Sequence, residues 1–72
     1  MKKTTNKQNG ITGREREVLH RLKSGRTSRE IAGMLDISER TVKFHVRNIM
    51  RKLKAENRTR AVVIAMEKGL VN

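Results

Sequence analysis

The chain has no cysteine, tryptophan or tyrosine and a single phenylalanine, Phe44, and only seven acidic residues stand against eighteen Lys plus Arg. Without cysteine there is neither a disulfide framework nor a thiolate metal site. His20 and His45 are far apart in sequence with no acidic cluster beside either, so no metal site is expected. No apolar run approaches the ~18 residues a membrane span requires, and no signal-peptide core follows the N-terminal lysines. The five glycines stand singly, which excludes a Gly-rich loop wrapped around phosphate. No nucleophile–base pairing and no internal repeat is visible. The reading is of a cytoplasmic protein that is not an enzyme, with no catalytic residues, no metal and no cofactor.

What is present is positive charge. Seventy-two residues carry a net charge of +11 and a sequence pI of about 11.5. A chain so basic calls for a polyanion, and duplex DNA, structured RNA and an anionic membrane surface are the candidates. A core of this size is only marginally stable alone, so burial against a partner or a second copy would help.

Residues 1–10 hold Lys2, Lys3, Lys7 and polar side chains, with nothing apolar beyond Met1. Such a segment cannot offset the entropy of ordering, and a basic disordered tail is expected, serving either nonspecific phosphate contact or solubility alone. Residues 11–72 form the folded domain. Its first helix opens at a capping box, Thr12-Gly-Arg-Glu15, with Ile11, Val18, Leu19 and Leu22 on one face and Gly25 as the stop. A second capping box, Thr27-Ser-Arg-Glu30, opens a helix that buries Ile31, Ala32 and Leu35. Gly33 lies inside that helix, where either a close helix crossing justifies it or it is merely tolerated. Asp36-Ile37 then makes a turn so short that the next helix must cross steeply, as in a helix-turn-helix.

Ser38 is a good N-cap for that third helix, and Glu39 suits its positive end. At about 100° per residue, Val42, Val46, Ile49 and Leu53 form one stripe with Met50 on its shoulder. Opposite stand Arg40, Phe44, Arg47 and Arg51, flanked by Lys43 on one side and by Thr41 and Asn48 on the other. A cationic face with one aromatic ring at its centre suits the major groove of DNA, where Arg and Lys meet guanine and apolar groups meet thymine methyls. A solvated basic face is the plainer alternative, and the composition weighs against it. After Leu53 the apolar pattern breaks. Thr59 is a cap for a fourth helix running to Lys68, with Gly69 ending it and Leu70 folding back. Ala61, Val62 and Ala65 share its inner side. Val63 points the other way, near Arg60 and Glu67 with Ile64 on the flank, which fits either a chance exposure or, preferably, a dimer contact.

These blocks resemble a known family. Thr12-Gly-Arg-Glu-Arg-Glu-Val-Leu19, Thr27-Ser-Arg-Glu-Ile-Ala32 and Ile37-Ser-Glu-Arg-Thr-Val-Lys-Phe-His45 look like the three signature blocks of the LuxR-type helix-turn-helix of the FixJ/NarL family of bacterial regulators. Asn48-Ile49, Lys52-Leu53 and Asn57-Arg-Thr-Arg-Ala-Val62 continue the match across residues 11–72. The resemblance implies an all-α, four-helix domain with the third helix in the major groove and the fourth pairing two subunits. It implies that Lys43, Phe44 and Arg47 face base edges. Thr27, Thr41, Asn48 and Arg51 would meet phosphates, with His45 beside the backbone and Arg40 counted among the phosphate contacts. The expected dimer residues are Arg60, Val63, Ile64 and Glu67. Two positions depart from the family pattern. Lys54 stands where glycine commonly ends the third helix, so that end should be distorted or run further, and Phe44 is larger than the valine often found there. Most members carry a receiver or signal-binding domain; here the chain is similar to the stand-alone regulator of late spore-coat genes, and equally to a domain cut from a longer regulator.

The leading function is a sequence-specific, double-stranded-DNA-binding transcription regulator acting as a homodimer on the nucleoid, with RNA polymerase as a further candidate partner. An RNA-binding protein is the second reading, disfavoured because unpaired bases usually require several stacking aromatics. A membrane-surface helix fits poorly, because the cationic helix has a core face for the other helices to cover.

Overall fold

Four short helices, marginal on their own in water, are held by a shared apolar centre in the computed structural model, which describes residues 10–72. Residues 1–9, most of the expected basic tail, lie outside the described residues. The helices are α1 (Gly13–Lys23), α2 (Ser28–Leu35), α3 (Glu39–Leu53) and α4 (Arg58–Glu67). α3 is the axis of the arrangement: α1, α2 and α4 all pack on it, and α1 also packs on α4.

Both expected capping boxes form. The Glu15 amide donates to Thr12 Oγ1 at 3.1 Å and the Thr12 amide to Glu15 Oε1 at 3.0 Å. Thr27 and Glu30 repeat the exchange at 3.1 and 2.9 Å. Each box satisfies two amides that the helix itself leaves without partners. Ser38 caps α3 by accepting from the Thr41 amide at 3.0 Å. α4 differs from expectation, because its cap is Asn57, whose side-chain oxygen accepts from the Arg60 amide at 2.8 Å. Thr59 therefore lies inside the first turn, and the helix stops at Glu67, one residue early.

All four helices close in the same way. The amides of Arg26, Ile37, Ala55 and Leu70 donate to carbonyls five residues back, at Arg21, Ala32, Met50 and Ala65, over 2.8–3.1 Å. This closure needs a residue in the left-handed region just before the donor. Gly25 and Gly69 supply it at φ 85° and 75°, and Asp36 and Lys54 at 58° and 56°. α3 thus ends at Leu53, with no run-on. Lysine takes the left-handed conformation that glycine would adopt more cheaply, a strain of about 1–2 kcal/mol. The Asp36 turn delivers α2 into α3, with Ile37 packed on the core beneath it.

Ile11, Val18, Leu19, Ile31, Val42 and Ile49 are completely buried. Each contributes about 1.5–3 kcal/mol by leaving water. Ala32, Val46, Leu53, Ala61, Ala65, Leu70 and Val71 complete the centre, with Met50, Val62 and Ile64 among those against it. The stripe read on α3 is the buried stripe. Gly33 is exposed, and a Cβ there would meet nothing within 4 Å, so no close crossing explains it.

One polar tie crosses the core's edge. Lys52 Nζ donates to both carboxylate oxygens of Glu15 at 2.8 and 3.0 Å and to the Gly10 carbonyl at 2.7 Å. Glu15 thus belongs to a capping box and to a largely buried ion pair, its side chain 5% exposed and that of Lys52 22%. The pair fixes α1 to the C-terminal half of α3.

Candidate nucleic-acid interface

The sequence of α3 divides the helix into a face that is buried and a face that is not. Val42 and Ile49 have no exposure, whereas Phe44 is 54% exposed. An aromatic ring this exposed, on the helix around which the others pack, sets this face apart from the buried one.

Arg40, Lys43, Phe44 and Arg47 line one shallow groove along α3, joined there by Glu39. Lys43 and Arg47 also line a second groove, toward the start of α4, with Glu56, Asn57 and Arg58. Lys43 pairs with Glu39 one turn back at 3.6 Å, an exposed and therefore weak contact. Arg40 and Arg47 have no ion pair among the described residues, so their guanidinium groups are free for a partner. The ring of Phe44 lies tilted against that of His45, with centroids 5.9 Å apart and planes at 59°.

The other expected contact residues are not among those lining this groove. Thr41 is half-buried and its hydroxyl accepts from Ser38 Oγ at 2.8 Å. Asn48 is half-buried and its Oδ1 accepts from the exposed Arg51 guanidinium at 3.2 Å. His45 is half-buried beside Phe44. Thr27 is apart from α3, at the exposed N-terminus of α2, with its hydroxyl engaged in the capping box. Beside it Ser28, 6% exposed, accepts a hydrogen bond at 3.2 Å from Arg58 of α4. That bond links residues thirty positions apart, and no local pattern in the sequence announces it.

On α4, Arg60 and Glu67 are exposed and Val63 is half-buried without belonging to the residues packed on the core. Ile64 is half-buried and does pack on the core, so it turns partly inward. Met66, 44% exposed and one turn beyond Val63, enlarges the apolar patch and was missed in the sequence. Its three-residue spacing from Val63 was the available signal.

Two helices joined by a three-residue turn, the second with a buried apolar face and an exposed cationic one, define a helix-turn-helix DNA-binding domain. The family model of bacterial regulatory proteins, luxR family, matches residues 9–65. The chain belongs to that family and is the DNA-binding domain of a LuxR-type transcriptional regulator. It is 52% identical over 61 residues to the transcriptional activator protein SolR of Ralstonia solanacearum, covering 85% of this chain and 26% of that protein. To the nitrate/nitrite response regulator protein NarP of Escherichia coli it is 44% identical over 57 residues, 79% of this chain and 26% of that one. The chain thus spans about a quarter of the length of these curated relatives. Among solved structures, the transcription factor GerE superposes with a TM-score of 0.83 at 34% identity, covering 86% of this chain and 92% of the other.

Among the described residues no group of three or more His, Cys, Asp or Glu is placed to hold a metal, and no helix is long and apolar enough to cross a membrane.

Proposed function

We propose that the chain binds specific sites on double-stranded DNA as a homodimer, with α3 of each subunit in the major groove of a half-site. Lys43, Phe44 and Arg47 touch base edges. Thr27, Arg40, Thr41, His45, Asn48 and Arg51 hold the phosphates on either side. α4 joins the two subunits through Arg60, Val63, Ile64 and Glu67, with Met66 added to the patch. The protein works in the cytoplasm on the nucleoid, and RNA polymerase is the partner through which bound protein alters transcription.

The observation that carries this reading is the groove on α3, with an exposed Phe44 among Arg40, Lys43 and Arg47. Cations alone would serve any polyanion. A ring among them adds an apolar contact for a thymine methyl, which phosphate binding does not need. The half-exposed Val63 and Met66 support pairing through α4, because a short helix with apolar residues on two sides needs a second surface to cover one of them. A two-fold pair would then present two α3 helices to two half-sites.

Gel-shift competition at matched salt between duplex DNA and structured RNA tests the choice of partner. Duplex should win, and a dimer neutralising roughly 6–10 phosphates should lose about 10³–10⁵ in affinity between 50 and 200 mM salt. Stronger competition by RNA would overturn the reading. Genome-wide footprinting then assigns the sites and the genes they control.

A further inference from the structure

Glu39 has a place in the α3 groove that the cationic account leaves unexplained. It is the one acid among the residues lining that groove, beside Arg40, Lys43, Phe44 and Arg47. Glu39, Lys43 and Arg47 succeed one another at intervals of four residues, so they form one ridge along the helix. The Glu39 and Lys43 side chains are 47% and 57% exposed, and a carboxylate oxygen lies 3.6 Å from Nζ. A carboxylate on a surface that meets phosphates opposes binding to every sequence alike. Its favourable interaction with the helix N-terminus does not require it to face the groove, since any position in the first turn would provide it.

We infer that Glu39 is a specificity-determining residue whose carboxylate accepts a hydrogen bond from the N4 amino group of a cytosine. This inference rests on the proposed binding of α3 in the major groove. A carboxylate is acceptor-only when ionised, and in the major groove cytosine offers a donor where thymine offers only an acceptor and a methyl group. Glu39 therefore rewards cytosine and repels the phosphate-rich surroundings of sites that lack it. Lys43, on the adjacent turn, is free to swing from the carboxylate to a guanine, because an exposed pair at 3.6 Å holds it only weakly. The same ridge thus carries an acceptor for cytosine and a donor for guanine.

The experiment is selection of binding sites from a random duplex library with the wild-type chain, Glu39→Gln and Glu39→Ala. Circular dichroism and thermal melting confirm that each variant is folded. The wild type should select a consensus containing a cytosine that discriminates by about tenfold to a hundredfold. Glu39→Gln should shift that position toward adenine, because an amide both accepts from N6 and donates to N7. Glu39→Ala should leave it unselective, and both variants should bind random duplex more tightly than the wild type. An unchanged consensus in both variants would overturn the inference while leaving α3 as the reading helix. Identical relaxation in both would place the effect on Lys43 and overturn the direct contact. A wild type that selects no consensus would overturn the groove-binding proposal itself, and this inference with it.

Discussion

Replacing Lys52 by alanine should destabilise the domain far more than an ordinary substitution of a partly exposed lysine. In the folded chain Nζ makes three hydrogen bonds, to Glu15 Oε1 and Oε2 and to the Gly10 carbonyl, all within 3.0 Å. Removing it leaves the Glu15 carboxylate, 5% exposed, with the Thr12 amide as its remaining capping partner. Breaking a buried ion pair from one side typically costs 3–5 kcal/mol, since the surviving charge is left uncompensated away from bulk water. Lys52 is 22% exposed, so water can partly enter, and the low end, about 3 kcal/mol, is expected. A domain of this length has roughly 4–11 kcal/mol of stability in all, and the melting temperature should fall by about 12–24 °C. Urea unfolding followed by circular dichroism gives the free energy directly. A double-mutant cycle with Glu15→Gln isolates the pair, with a coupling energy of at least 1 kcal/mol expected for groups in such contact. A loss within about 0.5 kcal/mol, the ordinary surface range, would refute the view that this tie holds α1 to α3.

The other outcomes follow from exposure and backbone geometry. Phe44→Ala should change stability by no more than about 0.5 kcal/mol, yet lose discrimination at one A·T pair in binding assays. A loss of about 3–5 kcal/mol on urea unfolding would instead mean a core residue. Lys54→Gly should stabilise the domain by roughly 0.5–1 kcal/mol, the left-handed strain less the added freedom of the unfolded chain; a destabilised variant would show that the strain is absent. Val63→Glu should yield a folded monomer with most operator affinity lost, because like charges would meet across the two-fold axis. Sedimentation that still finds a dimer would place the interface elsewhere.

Much of this arrangement was legible in the sequence because the signals are local. The two capping boxes, the Ser38 cap and the Val42, Val46, Ile49 and Leu53 stripe depend on residues within a turn or two, and each forms as read. The turn at Asp36 was also legible, since few residue types accept that backbone conformation. The start of α4 misled because Asn57 and Thr59 are both competent caps, and only the path of the backbone selects Asn57. Lys54 misled because a helix end can impose a left-handed residue against its preference when the closing bonds, here from Ala55 to Met50, are formed. Glu15–Lys52 and Ser28–Arg58 escaped altogether, since each joins residues that only the tertiary fold brings together. Within the groove, the exposure of Phe44 was read from helical phase alone, whereas the carboxylate of Glu39 was taken only as a partner for the helix end.

Whether α3 reads bases is decided most directly at Arg47. It is exposed, lines both grooves on α3 and has no ion pair among the described residues, so its fork is available for a bidentate contact to guanine. Affinities of the wild type and Arg47→Ala should be measured at one salt concentration on a selected site, on its single-base variants and on random duplex. Arg47→Ala should lose about 1–3 kcal/mol on the selected site, with preference relaxed at one base position and a much smaller loss on random DNA. Equal losses on the selected site and on random duplex would contradict base reading, leaving Arg47 a phosphate contact and α3 without its reading role.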